Sequence, residues 1–423
     1  MLKISLGGSL AGDTAVYLFS NILNAAIPFI LLPILTRYLG PHEYGKVAMF
    51  QTLLGALSAF VGLSVAGAAT RKYYDRNIND HEFKIFIATC LQILLVSSGL
   101  VFLIMAIFGQ KLTAWLGLQT NWAQLAVFIS TVSVVIQLRL TQWQIRKRAR
   151  QYGILQVLQS IFNMALSLLL IVILLIGAEG RIIAQVWTAG IFAVLALFLL
   201  KRDGLLGFFF WRPGYLREVL AFGVPLIPHV TGMFLLSSVD RFFINAKLGL
   251  SEAGIYMIAV QLTGAMGLVY DAINKAYVPW LFERLNRGKR EEKRQIVQYT
   301  YAWFAINLIM AGLAFIIGPW LVTQIAGENF ARAGEVIGWL ALGQAFAGMY
   351  LMVTNYIFYS KRTGLLSLFT ITSGLINVML LIVLIETFGF KGAAIASAIA
   401  MAIRFILTWW LAQRSHPMPW FDL

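Results

Sequence analysis

Charged residues interrupt the apolar segments in the second half of the chain at three places. They are Asp240-Arg241, the pair Asp271 and Lys275, and Arg404. A charge in apolar surroundings needs a partner, water or a ligand, because an isolated charge is costly to desolvate. We therefore predict that these residues line a substrate-binding cavity, with Arg404 as its leading candidate.

Each of these charges also has a structural interpretation, and the sequence leaves both open. Arg404 lies roughly 18 Å from one end of the last apolar segment at 1.5 Å per residue, where it could instead pack helices by bonding to carbonyls. Asp271 and Lys275 are four residues apart, so they share a helix face and could simply pair. Asp240 and Arg241 are adjacent and do not share a face, which suits a clamp between helices as well as a ligand contact.

Asparagines and prolines in two further segments complete the candidate site. Asn21 and Asn24 lie on one face of the first apolar segment, with Pro28 one turn further on, and Pro225 and Pro228 interrupt a later segment. A proline inside a helix frees a backbone carbonyl that must face protein or water. The three prolines are therefore predicted to bend helices that gate a cavity. For the asparagines, hydrogen bonding between helices is the alternative role.

The composition indicates a polytopic membrane protein. Hydrophobic residues make up 60% of the 423 residues and charged residues 12%, and the mean hydropathy is +0.79. Soluble domains carry about 25% charged residues. The net charge of +15 has no soluble basic domain to carry it, which argues against nucleic acid as a partner. One cysteine and four histidines argue against a disulfide or a metal cluster, so neither a metal nor a cofactor is expected.

Twelve transmembrane helices are predicted from apolar runs of roughly 20 residues. They lie near 14–36, 47–70, 84–108, 122–143, 153–177, 182–200, 219–246, 254–281, 298–323, 333–360, 365–387 and 392–411. The loops rich in Lys and Arg, such as 146–150 and 284–294, all fall on one side when twelve spans are drawn. Because positive residues stay inside, both termini are expected in the cytoplasm.

A sequence repeat divides the chain into two similar halves. Leu248-Gly249, Glu252 and Gly254 match Leu39-Gly40, Glu43 and Gly45 at an offset of 209 residues. The predicted fold is all-α, with two six-helix halves around a central cavity. The halves are 1–200 and 219–423, and 201–218 is a cytoplasmic linker whose aromatic run 208–211 could anchor at the membrane interface.

Two stretches resemble a known family. A first span ending in LLPILTRYLGPHEYG, and a seventh reading GVPLIPH, SSVDRFFI and LGLSEAGIY, are similar to polysaccharide-export flippases. These belong to the multidrug/oligosaccharidyl-lipid/polysaccharide exporter superfamily, and the Wzx-type O-antigen flippases are the nearest likeness. The resemblance implies movement of an undecaprenyl-diphosphate-linked glycan from the cytoplasmic to the outer leaflet of a bacterial inner membrane. The diphosphate that the resemblance implies would be bound by Arg404, helped by Lys275 and Arg241, because arginine forms bidentate hydrogen bonds to phosphate oxygens. The resemblance also admits a proton or sodium as coupling ion, and polymerase and chain-length proteins as partners.

Two other functions stay open. One is a cation-coupled exporter of drugs or amphiphiles with the same fold. The other is a membrane glycosyltransferase or polymerase, which usually needs a large catalytic loop. Here the longest connections are under about 20 residues, and the chain has neither a phosphate-binding glycine loop followed by lysine nor a zinc-protease histidine pair. A transporter is therefore favoured over an enzyme.

Overall fold

A computed structural model of the chain describes residues 8–75, 78–207, 212–360 and 364–420, without the side chains of residues 8–15 and 18. All regular structure in these ranges is helical, as expected. The α-helices are α1 (Gly8–Tyr38), α2 (Pro41–Leu57), α3 (Val65–Tyr73), α4 (Asp80–Leu116), α5 (Trp122–Ile145), α6 (Ala149–Leu168), α7 (Ala178–Arg202), α8 (Pro213–Gly223), α9 (Ile227–Ser237), α10 (Asp240–Leu248), α11 (Leu250–Arg287), α12 (Arg290–Ala326), α13 (Gly334–Tyr359), α14 (Gly364–Phe388) and α15 (Phe390–Ser415). Short turns of other helical types lie at Leu169–Ile173, Val224–Leu226 and Glu328–Ala333.

Within the described ranges, 11 helical segments are long and apolar enough to cross a membrane. Large apolar side chains in the middle of these helices point away from the protein. Val96, Ile107 and Ile316 are 73%, 70% and 77% exposed. Such surface is unfavourable in water and favourable in lipid. The chain is a multi-pass membrane protein.

The predicted span at 47–70 is not one continuous helix. α2 ends at Leu57 and α3 begins at Val65. Neither piece reaches the roughly 20 residues that a span requires. The predicted total of twelve spans is therefore not confirmed.

Left-handed backbone causes this break. Gly62, Leu63 and Ser64 have φ angles of 79°, 44° and 57°, which end a right-handed helix. The freed Gly62 N–H donates to the Ser97 hydroxyl at 3.1 Å. α8 lies so close to the break that a Cβ atom on Gly223 would be 2.1 Å from the Leu63 carbonyl oxygen. Tertiary contacts therefore hold the break in place.

The predicted span at 219–246 is also divided. Pro225 lies in the turn between α8 and α9, because a residue without an N–H cannot continue the α-helical hydrogen bonds. Pro228 lies in the first turn of α9, where proline is tolerated. α9 ends at Ser237 and α10 begins at Asp240. Asp240 therefore lies in the first turn of a new helix and not inside the span.

The chain forms two compact units. Unit 1 comprises Met1–Leu39 and Met49–Val230, and unit 2 comprises Gly40–Ala48 and Thr231–Leu423. In unit 1, α5 packs against α3, α4 and α7, and α1 packs against α6. In unit 2, the central helix is α13, which packs against α11, α12 and α15.

The boundaries of these units differ from those of the predicted halves, 1–200 and 219–423. The division into halves stays a prediction. α8 belongs to unit 1, where the ammonium of Lys72 and the carboxylate of Glu218 are 3.0 Å apart. The aromatic run predicted as an interface anchor, 208–211, lies outside the described residues.

Within unit 2, the start of α2 crosses the start of α11 at two glycines. A Cβ atom on Gly45 would lie 2.0 Å from the carbonyl oxygen of Leu250, and one on Gly254 would lie 2.2 Å from that of Pro41. Only glycine allows backbones to approach so closely. Gly45 and Gly254 are separated by the 209-residue repeat offset, and so are Pro41 and Leu250. The two copies of the repeated motif therefore touch each other symmetrically.

A buried ion pair joins the end of α5 to the end of α7. Arg139 is 1% exposed, lies 4.1 Å above the Trp143 ring, and pairs with the Asp203 carboxylate at 2.5 Å. Arg148 reaches the same carboxylate at 3.1 Å. Burial raises the pKa of Asp203, but the hydrogen bond from Arg139 and the surrounding positive charges outweigh it, so the pKa lies below its ordinary value. The ionised carboxylate therefore stabilises the folded protein.

Replacing Asp203 with asparagine is expected to lower the free energy of unfolding by about 2 kcal/mol at pH 7, because Arg139 is left as a buried, unpaired charge. A depressed carboxylate pKa contributes stability above the unfolded value near 3.9 and loses it as the pH falls through the folded value. The difference in Tm between wild type and Asp203→Asn should therefore close below about pH 4. Asp75→Asn is the control, since Asp75 pairs with Lys72 at the surface and should cost under about 1 kcal/mol. Equal Tm values for the two variants at pH 7 would contradict the assignment.

Candidate functional site

Unit 1 contains a polar cavity of about 380 Å³ among α1, α5, α6 and α7. Its polar lining consists mainly of side-chain amides, together with the hydroxyls of Ser133, Ser160 and Thr188. The amides belong to Asn24, Gln137, Gln156, Gln159, Asn163 and Gln185. The apolar parts of the wall include Ile129 and Leu140. A polar interior of this size among membrane helices is a site where a hydrophilic group could be held.

Two helices supply most of these groups from polar stripes at helical spacing. On α6 the stripe is Gln156, Ser160 and Asn163, and on α7 it is Arg181, Gln185 and Thr188. Steps of three or four residues place side chains on one helix face. These stripes are visible in the sequence of two otherwise apolar helices. The site predicted above contains none of these six residues, because it was built on intramembrane charges and on Asn21 and Asn24.

Of the predicted site residues, Asn24 and Pro28 line this cavity. The Ser160 hydroxyl donates to the Asn24 side-chain oxygen. Asn21, one turn earlier on α1, accepts a hydrogen bond of 3.2 Å from the Tyr152 hydroxyl. Both asparagines therefore join α1 to α6, which is the alternative role considered from the sequence, and Asn24 also faces the cavity.

Arg181 is the charged residue in the wall of this cavity. Its guanidinium Nη1 donates to the Asn163 side-chain oxygen and to the Ser167 hydroxyl. Arg181 falls in the connection between the predicted spans 153–177 and 182–200. The structure extends α7 back to Ala178 and so turns Arg181 inward. Among the described residues that line the cavity, none carries a carboxylate.

A second cavity of about 320 Å³ adjoins the first and shares Leu54, Ile129, Ser133 and Gln137 with it. Its far wall contains Ser58 and Val61, in the break between α2 and α3. The unwound segment thus borders a cavity, where non-helical backbone at membrane depth is tolerated.

In unit 2, Arg404 lies on α15 and is 6% exposed. Its guanidinium stacks 3.8 Å from the centroid of the Tyr350 ring on α13. One terminal nitrogen contacts the Met233 sulfur at 3.4 Å, and the Nε atom has no hydrogen-bond partner among the described residues. Thioether sulfur is a weak acceptor, and a guanidinium carries five donors. Arg404 is therefore held in place by stacking while its hydrogen-bonding capacity stays largely unused.

Asp240 and Arg241 are both buried, at 3% and 6% exposure. The Asp240 carboxylate accepts hydrogen bonds from the Tyr256 hydroxyl at 2.7 Å and from the Arg241 backbone N–H at 2.9 Å. The Arg241 Nε lies 3.9 Å from Asp240 and has no hydrogen-bond partner among the described residues. Asp240 thus joins α10 to α11, and Arg241 is a second arginine with an unused donor.

Lys275 and Asp271 form an ion pair of 2.6 Å on α11, with side chains 62% and 56% exposed. On the same helix, the side-chain oxygen of Asn274 accepts a hydrogen bond of 2.8 Å from the Asn355 amide on α13. The three predicted cations of unit 2 thus have separate partners: Arg404 has Tyr350 and Met233, Arg241 has Asp240, and Lys275 has Asp271. Within the part of the chain that the structure describes, no cluster of three or more His, Cys, Asp or Glu residues could hold a metal ion.

The amino-acid sequence is similar to a known protein family and to several known proteins. Residues 10–285 match the family model described as polysaccharide biosynthesis protein. An uncharacterised membrane protein of Haemophilus influenzae is 28% identical over 379 residues, 87% of this chain and 88% of its own. A Shigella flexneri protein provisionally named an O-antigen transporter is 21% identical, covering 93% of this chain and 96% of its own.

Among solved structures, the lipid II flippase MurJ in an inward closed conformation superposes with a TM-score of 0.72 at 13% identity, over 95% of this chain and 87% of its own. A likeness at such low identity shows a shared fold alone. The family match covers more than half of the chain and agrees with the resemblance carried by its first and seventh spans. The chain is thus a multi-pass membrane protein of the polysaccharide biosynthesis family.

Proposed function

We propose that the protein is a flippase that moves undecaprenyl-diphosphate-linked oligosaccharide repeat units from the cytoplasmic to the outer leaflet by alternating access. The observation that carries the proposal is the amide- and hydroxyl-lined cavity inside a bundle of membrane helices. A glycan headgroup loses water when it enters a membrane, and such a lining can replace the lost hydrogen bonds. The polyprenyl tail has no such need and stays in lipid.

The charge of the cavity argues against a drug exporter. Many amphiphilic drugs are cations, and a site for them is expected to contain a carboxylate or an aromatic cage. The described wall of this cavity contains Arg181 and no carboxylate. A neutral or anionic cargo is the better match.

The diphosphate would be met by the arginines of unit 2. Phosphate is best held by guanidinium groups with donors to spare. Arg404 and Arg241 both have a buried Nε without a hydrogen-bond partner among the described residues. Lys275 would assist them after exchanging its contact with Asp271, a pair that is exposed and therefore weak.

We place the protein in the bacterial inner membrane with both termini in the cytoplasm. The turn between α5 and α6 contains Arg146, Lys147 and Arg148, whereas 117–121 and 174–177 contain no Lys or Arg. Such asymmetry follows the positive-inside rule. The proposal includes a proton or sodium as coupling ion, and polymerase and chain-length proteins of the same pathway as partners.

The test is deletion of the gene followed by mass spectrometry of lipid-linked intermediates. Cells without the protein are expected to build the complete lipid-linked repeat unit and to retain it on the cytoplasmic face, where an impermeant glycan-modifying reagent cannot reach it. A truncated or absent repeat unit, with the earlier enzymes intact, would instead identify a glycosyltransferase. Unchanged surface glycan with altered drug tolerance would identify an exporter.

A further inference from the structure

Three polar atoms of residues that line the unit 1 cavity have no hydrogen-bond partner among the described residues. They are Oε1 of Gln156, Oε1 of Gln185 and the hydroxyl of Thr188. All three are buried atoms of residues that line the cavity. Buried polar groups in proteins are nearly always paired, and an unpaired one calls for an explanation such as a ligand or bound water. Three in one cavity indicate a site whose ligand supplies the missing partners.

The positions of these atoms are set by two rigid helices. Gln156 lies on α6, and Gln185 and Thr188 lie three residues apart on α7. Between the two helices, Arg181 is tied by its Nη1 to Asn163 and to Ser167. This contact fixes the distance between the two polar stripes. A ligand in the cavity would therefore reach these groups by a rotation of their side chains, without movement of the helices.

The chemistry of the wall selects for hydroxyl groups. Two unpaired atoms are amide oxygens, which accept hydrogen bonds, and the third is a hydroxyl, which donates and accepts. Sugar hydroxyls also donate and accept, and an N-acetyl group offers one N–H and one carbonyl. A phosphate carries acceptors only, so it cannot satisfy an amide oxygen. The cavity of about 380 Å³, extended by its neighbour of about 320 Å³, lies in the usual range of small-molecule sites.

We propose that this cavity recognises the uncharged sugars of the lipid-linked glycan, and that Gln156, Gln185 and Thr188 determine which sugars are accepted. The proposal rests on the proposed flippase function and assigns the specificity to unit 1. The sugars donate to the two amide oxygens, and Thr188 turns its hydroxyl toward the ring substituent that it meets. The diphosphate is not recognised at these three residues.

The experiment compares two lipids on the purified protein in nanodiscs, by native mass spectrometry. One probe is the lipid-linked repeat unit extracted from cells that lack the protein, and the other is undecaprenyl diphosphate without sugar. Wild type should prefer the glycan-bearing lipid. Gln185→Met and Gln156→Met should each weaken binding of that lipid about tenfold, the value of one well-placed hydrogen bond. Binding of undecaprenyl diphosphate should stay unchanged.

Gln142→Met is the matched control. Gln142 is a fully buried glutamine of α5 whose amide also has no hydrogen-bond partner among the described residues, but it does not line the cavity. Its substitution should leave both lipids bound as in wild type. The two cavity variants should have a Tm equal to or above that of wild type, because each removes an unpaired buried acceptor.

The possible outcomes distinguish failure of the sugar site from failure of the flippase function. Wild type that binds both lipids equally, or cavity variants that lose both equally, would overturn the sugar site and leave the flippase standing. A clear fall in Tm for Gln156→Met and Gln185→Met would show that these amides are structural, and would overturn the site as well. Wild type that binds neither lipid would overturn the flippase function and the sugar site with it.

Discussion

Gly254→Ala is expected to produce the largest loss of stability of any glycine-to-alanine substitution in α11. The added Cβ would lie 2.2 Å from the carbonyl oxygen of Pro41 and 2.7 Å from the backbone nitrogen of Gly45. Both obstacles are backbone atoms, so no side-chain rotation relieves the clash and the two helices must separate. We expect a loss of about 3 kcal/mol or more, at the upper end of overpacking. Gly45→Ala should cost a similar amount, because its Cβ meets the Leu250 carbonyl at 2.0 Å.

Gly264→Ala provides the control on the same helix. A Cβ atom at Gly264 would have no atom within 4 Å, so this substitution should be neutral or stabilising by up to about 1 kcal/mol through helix propensity. The double variant at Gly45 and Gly254 should cost less than the sum of the single ones, since the helices need to separate only once. Thermal denaturation in detergent measures all four variants. A Tm for Gly254→Ala equal to that of Gly264→Ala would refute the crossing.

Arg404→Ala is expected to reduce glycan transport by about tenfold to a hundredfold, while the protein still inserts at normal abundance. This range corresponds to the loss of one charge-assisted, bidentate contact to a phosphate. Arg404→Lys should retain part of the activity, because lysine keeps the charge and loses the bidentate geometry. Arg404→Gln decides between the two roles of this residue, since glutamine keeps hydrogen bonds without charge. Surface glycan, normalised to protein level, is the measurement.

Arg414→Ala is the matched control for this series. Arg414 lies in the last turn of the same helix, and its guanidinium stacks 4.0 Å from the centroid of the Trp410 ring. Arg404→Ala and Arg414→Ala therefore both lose an arginine–aromatic contact. Arg414→Ala should transport normally. Full activity in Arg404→Gln would remove Arg404 from the phosphate site and leave it as a helix-packing residue.

The two candidate regions differ in how the sequence could reveal them. Arg404 is conspicuous as a charge deep in an apolar run. Its candidacy as a site residue follows from that position alone and requires no knowledge of neighbouring residues. Its stacking on Tyr350 joins residues 54 positions apart, and no local pattern reveals it. The stripes containing Gln156 and Gln185 have a local signature at helical spacing. That they face the same cavity depends on how α6 and α7 pack.

The sequence by itself determined the all-α membrane architecture and the family. Apolar runs of about 20 residues suffice for the architecture, because backbone groups in lipid must bond within their own segment. The family was indicated by the resemblance of the first and seventh spans. The sequence also marked Gly45 and Gly254 as equivalent positions of a repeat. Only the tertiary structure decided that these glycines touch, that the chain breaks at Gly62 to Ser64, and that Arg181 turns inward. Each of these depends on atoms far away in the chain, the Leu250 carbonyl among them, and local sequence preferences do not contain that information.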